Sequence, residues 1–154
     1  MSDNPKRSVS QLNQFVRCPM SYKLGRLDKV WARPAAWLAQ GRAFHAVAEE
    51  YELSLAAKVR MSTEKAYESY RTHYAAEIEA STDETPNFDF WSWSGPYNGE
   101  RDIARRHGIG LEQVDKFIQW HISDGQEIWW TPTGTPGIEL EFCKIGRASC
   151  RERV

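Results

Sequence analysis

Between Ser8 and Ile122 apolar residues return, stretch by stretch, at steps of three and four, and after Asp124-Gly125 the period changes, with Ile138, Leu140 and Phe142 at every second position. The first spacing is the repeat of a helix and the second that of a strand. A chain patterned this way must build a helical body first and can begin a sheet only near its end. Ser8-Val9-Ser10-Gln11 has capping-box spacing. Val9, Leu12, Phe15 and Val16 follow at helical steps, and Pro19 ends that helix just after Cys18. Met20 to Leu27 predicts a short second helix anchored by Tyr22 and Leu24. Trp31 to Leu38 reads as a connector broken by Pro34. A third helix runs from Gln40 to about Ala57, with Phe44, Val47, Ala48, Tyr51 and Leu55 as its apolar stripe.

Ser62 opens a fourth helix, to about Ala80, with Tyr67, Tyr70, Tyr74 and Ile78 turned inward. Ser81 to Gly99 breaks the pattern with two prolines, two glycines and the aromatics Phe88, Phe90, Trp91, Trp93 and Tyr97. Such a loop can pack or stack on nucleic-acid bases, and packing is the expectation. Glu100 to His107 and Leu111 to Ile122 predict two more helices. Glu127 to Thr131 and Gly137 to Phe142 predict strands around the turn Pro132-Thr133-Gly134-Thr135-Pro136. In the second of these Ile138, Leu140 and Phe142 share one face, and Glu139 and Glu141 the other. No internal repeat is present.

The 154 residues suffice for one modest domain, and 41% hydrophobic with 27% charged residues describes a chain that folds. No apolar run is long enough to span a membrane. The segment Met1 to Arg7 is polar, with no signal-peptide core behind it, so a cytoplasmic location is expected. There, three cysteines are thiols or metal ligands before they are disulfides. The net charge of -1 hides an asymmetry: residues 1–44 carry eight bases against two acids, and residues 45–100 eleven acids against four bases. A basic start feeding an acid-containing segment suits a polyanion held near a metal; separate solvated helix faces are the competing account.

Gly41, His45 and Glu49 lie four apart and so share one helix face. A smooth end, an imidazole and a carboxylate in a row can edge a hard-metal site, or can simply be a partly buried histidine on an amphipathic helix. Arg17, Lys23, Arg33 and Arg42 are candidate phosphate contacts. Arg42 leads, because it stands near the start of the His45 helix, where backbone N–H groups favour anions. Ordinary surface salt bridges are the alternative for each.

Several of these residues fall into a known order. Ser8-x-Ser10-x-Leu12 with Cys18-Pro19 and Tyr22, then Gly41-x-x-x-His45, then Ile138-Glu139-Leu140-Glu141-Phe142 resemble the successive motifs of RecB-type nucleases in the PD-(D/E)XK superfamily. The likeness is nearest to CRISPR-associated RecB-like exonucleases of actinobacterial phages. There the segments resembling Val30 to Leu38 and Thr85 to Asp89 also recur. The resemblance covers most of residues 8–142. It implies an α/β, restriction-endonuclease-like fold, of which this chain supplies a mostly helical part plus a terminal β-hairpin that would start the catalytic sheet. It also implies metal-dependent cleavage of DNA, by an exonuclease acting on DNA ends in recombination or repair, with recombination or helicase proteins as partners and no membrane. The ion is magnesium or manganese, and an imidazole ligand favours manganese. By the same resemblance His45 is a metal ligand and Glu139 lies beside the metal, with Glu141 as runner-up. Glu49 either orients His45 or is idle.

The chain departs from the pattern at its end. The family places an Asp and then Asp/Glu-x-Lys downstream, whereas no Asp follows Asp124 and no Glu-x-Lys follows Glu139. Residues 144–154 resemble one reading frame of a sequencing adapter, so Cys143 and Cys150 should not be read as a zinc pair. The expectation is an N-terminal nuclease portion over 1–143, catalytically incomplete, followed by a non-native tail. Some family members hold a four-iron, four-sulfur cluster through a cysteine at the Cys18 position and three later ones, which only a longer parent would supply. A non-catalytic DNA-binding protein and a helical interaction protein remain the alternatives.

Overall fold

The computed structural model describes residues 8–30, 32–125 and 127–138. The described residues divide into two compact units, one ending at Ala32 and one beginning at Arg33. In the first, α1 (Val9–Arg17) begins at Ser8, whose hydroxyl accepts the Gln11 amide at 3.3 Å. Cys18 is extended, as a residue before proline must be, and separates α1 from the short α2 (Pro19–Tyr22). A π-helical turn over Lys23–Leu27 continues from α2. The expected helix from Met20 to Leu27 therefore forms in two geometries. None of these elements buries a residue. Phe15 and Tyr22 meet edge to face at 5.6 Å, and Gln14 ties the turn together by donating to Ser21 and accepting from Arg26.

The second unit is a three-helix bundle of α3 (Ala36–Ala56), α4 (Thr63–Glu84) and α5 (Gly99–Ser123). Side-chain pairs fix the directions. Arg42 with Glu77 and Glu50 with His73 make α3 and α4 antiparallel, while Gln40 with Gln113 and Tyr51 with His121 make α3 and α5 parallel. Ala39, Ala43, Val47 and Tyr51 of α3 pack with Ala66, Tyr70 and Tyr74 of α4 and Val114 and Ile118 of α5. Small residues on α3 let the tyrosines of α4 lie close to it. Tyr74 then finds a partner for its hydroxyl in the Ile103 carbonyl at 2.8 Å.

Three boundaries differ from the sequence pattern. The helix carrying His45 starts at Ala36 rather than Gln40, because Ala36 and Ala39 are buried and the Pro34 carbonyl is held by the Ser92 amide at 2.8 Å. The fourth helix runs on to Glu84. The two helices expected on either side of residues 108–110 are one, since Gly110 sits against the Tyr70 ring and packing holds the backbone helical there.

The loop between α4 and α5 packs. Trp91 is buried, stacks on Trp93 at 5.5 Å and meets Phe88 edge to face at 5.4 Å around a short 3₁₀ turn (Phe88–Phe90). Its indole N–H donates to the Thr85 carbonyl at 2.8 Å. Ser94 Oγ donates to the fully buried Asp102 carboxylate at 2.7 Å, and Arg106 donates to Ser94 and to Gln40. This network fastens the loop to α3 and α5.

The expected α/β architecture does not form. Among the described residues there is no strand and no sheet, only two isolated bridges, Ala35 with Ser92 and Trp130 with Pro136. The hairpin expected after Gly125 reduces to a turn: Thr131 N–H donates to the Thr135 carbonyl at 2.8 Å and Gly137 N–H to the Trp129 carbonyl at 2.7 Å. Prolines at both ends of the turn bring no donors, and an isolated two-stranded pair is marginal in water. Residues 139–142 of the second expected strand lie outside the described residues. No helix among the described residues is long and apolar enough to cross a membrane.

Candidate metal and nucleic-acid site

His45 sits near the middle of α3, and Gly41, His45 and Glu49 are all exposed. The four-residue spacing thus does give a common solvent face. The imidazole meets the Phe44 ring edge to face at 6.3 Å, and Phe44 in turn packs on Phe117 of α5 at 5.8 Å. Among the described residues a Cβ added to Gly41 would meet nothing within 4 Å, so no packing by them calls for a glycine there. Glu139 and Glu141 lie outside the described residues, and so does any approach of either to His45. Among the described residues no group of three or more His, Cys, Asp or Glu stands together closely enough to hold a metal ion. The described donor set on its own does not fit a divalent metal.

The candidate phosphate contacts are spread over both units. In the first, Arg17 lines a polar hollow with Ser10, Asn13, Gln14, Cys18 and Ser21, and Lys23 lies 3.8 Å from Asp28. Cys18 is an exposed thiol whose sulfur accepts the Ser21 amide at 3.4 Å. In the second unit Arg33 is exposed ahead of α3, and Arg42 donates to Glu77 of α4 at 2.9 Å. That pair is largely exposed, so it holds Arg42 only weakly.

Two clusters escape a reading by sequence. Glu50, beside Glu49, accepts from Ser69 Oγ at 2.6 Å and pairs with His73 Nε2 at 2.8 Å. Burial raises the Glu50 pKa, but the hydrogen bonds from Ser69 and His73 outweigh it and hold the carboxyl below its usual value. Ser69 and His73 are four apart on α4 and both reach the one carboxylate, so the hydroxyl is not aimed at the imidazole as a nucleophile would be. The second cluster lies two residues further along α3, on the side facing α5, where the buried His121 lies 3.5 Å from Glu52. Helix periodicity marks neither, because each joins polar residues from two helices.

Against this geometry stand the relatives. The chain matches the PD-(D/E)XK nuclease superfamily over residues 6–132. It belongs to that superfamily. Its members are nucleases that use divalent metals such as magnesium. The matched stretch takes in α1 through α5, the Cys18-Pro19 junction and the Gly41/His45 face. The chain is 59% identical over 138 residues to the Gene 69 protein of Mycobacterium phage D29, which covers 90% of this chain and 51% of that protein. It is 66% identical over 128 residues to the Gene 69 protein of Mycobacterium phage L5, covering 83% of this chain and 44% of that protein. The chain spans about half the length of these curated relatives. No solved structure matches it.

Proposed function

We propose that this chain is the N-terminal portion, over residues 1–143, of a metal-dependent DNA exonuclease that works on DNA ends in recombination or repair, in the cytoplasm of the host cell. The superfamily match across the helix bearing the Gly41/His45 face is the observation that carries this reading. In the parent, His45 would be one ligand of a magnesium or manganese ion and Glu139 its neighbour, with Glu141 second in line. The ion, when bound, supplies charge stabilisation at a phosphate oxygen and a more acidic water. His45 holds its ligand position from a helix packed through Phe44, and the bare backbone at Gly41 leaves room for a sugar-phosphate strand to come close. Arg42, one residue on, is placed to take a phosphate by exchanging Glu77 for it. Cys18, with a cluster's other cysteines in the rest of the parent, is the candidate for a four-iron, four-sulfur site. Residues 144–154 are a foreign tail in this reading.

On this reading the chain, with no Asp after Asp124 and no Glu-x-Lys after Glu139, is catalytically incomplete. Incubated with linear or supercoiled DNA and manganese, it should release no nucleotides. A parent of the relatives' length should degrade linear DNA under the same conditions and should stop doing so as His45→Ala. Metal-dependent turnover by the short chain would overturn the incomplete-portion reading. An active parent indifferent to His45→Ala would overturn the site. Failure of both chains to bind or cut DNA would favour a helical interaction protein instead.

A further inference from the structure

At the end of the bundle away from the aromatic loop, the chain after α5 turns back across α3 and α5 and encloses a hollow of about 160 Å³, lined by Glu52, Trp120, His121, Glu127, Trp129 and Gly137 among others. The hollow is built. Gly137 lies so close to Trp129 that an added Cβ would stand 2.9 Å from its ring, and the Gly137 amide donates to the Trp129 carbonyl at 2.7 Å. Trp120 meets His121 edge to face at 4.7 Å. Trp129 is nevertheless 63% exposed and Trp120 39%. His121 is 6% exposed, and its Nε2, wholly buried, makes no hydrogen bond. Glu52 Oε1 lies 3.5 Å from that nitrogen, within ion-pair range but without hydrogen-bond alignment.

We propose that this hollow receives the cationic head of a lysine or arginine side chain from a partner polypeptide. Two carboxylates, Glu52 and Glu127, beside the indole rings of Trp120 and Trp129 are the groups that recognise an organic cation. The rings attract it through their negative faces, and the carboxylates accept its N–H groups. A bare divalent metal needs a tighter set of donors than any among the described residues. A nucleic-acid strand would bring phosphates against Glu52 and Glu127. The adjoining hollow, of about 380 Å³, shares His121 and offers Leu55, Ile128 and Trp130 together with Arg60. Apolar surface there suits the residues that flank a lysine or arginine in a polypeptide, and Arg60 opposes a uniformly charged polyamine.

The test is an NMR titration of the full chain that follows the indole N–H signals of Trp120 and Trp129. The probes are Nα-acetyl-lysine methylamide, its uncharged counterpart Nα-acetyl-norleucine methylamide, and spermidine. The lysine probe should shift both signals saturably and the norleucine probe should not. Glu127→Gln, at an exposed position that leaves the helices intact by circular dichroism, should weaken lysine binding by about tenfold, as should Trp129→Ala. Equal responses to lysine and norleucine, or no effect of either substitution, would overturn the site. Tighter binding of spermidine than of the lysine probe would overturn the polypeptide partner.

Discussion

Two glycines on buried and exposed faces of the bundle have opposite jobs. Gly110 lies mid-helix on α5, where glycine ordinarily weakens a helix, but any Cβ there would run into the Tyr70 ring and hydroxyl. That ring is fully buried, and burial pushes its pKa up to about 12. Gly110→Ala should lower stability by about 1–3 kcal/mol through overpacking, with part of the loss restored by adding Tyr70→Leu; thermal unfolding of the three variants measures it. None of the described residues comes within 4 Å of a Cβ added at Gly41. Gly41→Ala should therefore raise stability by about 0.5–1 kcal/mol while weakening DNA binding in the nuclease parent. A fall in melting temperature would show that the residue serves the fold rather than an approaching ligand. In sequence the two glycines look alike, because the difference lies in what faces each one from another helix.

At the level of elements, the seam between α3 and α4 is polar at its rim and tyrosine-rich inside. Glu50, Ser69 and His73 form the rim contact that responds to pH. The carboxyl of Glu50 is held below its ordinary value of 4.5 in the folded chain. Its contribution is therefore complete above the unfolded pKa and disappears as pH falls through the lower, folded one. Denaturant midpoints measured from neutral pH downward should decline on this account in the acid range. Glu50→Gln should flatten that limb, by well under 1 kcal/mol because the pair is about two-fifths exposed. The elements themselves were mostly legible: Ser8 and Ser62 each cap the helix expected of them, and Tyr70 and Tyr74 are core. The hairpin was not. Alternation from Ile138 to Phe142 satisfies the strand pattern, yet a strand exists only when a partner takes up its backbone groups, and among the described residues after Gly125 one bridge, Trp130 with Pro136, is all that forms.

For the molecule as a whole, the two units differ in kind. The bundle has a continuous core, whereas α1, α2 and the π-turn bury nothing, and Val9, Phe15, Val16, Met20 and Leu27 are all more than half exposed. Burial is the main source of stability. Deleting residues 1–32 should thus leave the cooperative unfolding of the bundle in place, with a melting temperature shifted by no more than a few degrees (~1 kcal/mol). A large drop would mean that the N-terminal helices complete the core. The basic residues of that unit should reveal themselves instead in DNA binding, as a flatter salt dependence once they are removed.

By itself the sequence located most of the helices, the caps at Ser8 and Ser62, the core tyrosines Tyr70 and Tyr74 and, through the order of its motifs, membership of a nuclease superfamily. All of these rest on local spacing, which one chain records directly. Tertiary structure alone decided that α5 is continuous across its glycines, that the aromatic loop is clamped through Asp102, and that His121 meets Glu52 beside two exposed tryptophans. It also decided that Arg42 reaches Glu77. Each of those outcomes depends on which face of one helix meets which face of another, and the repeat within a single element carries no record of that.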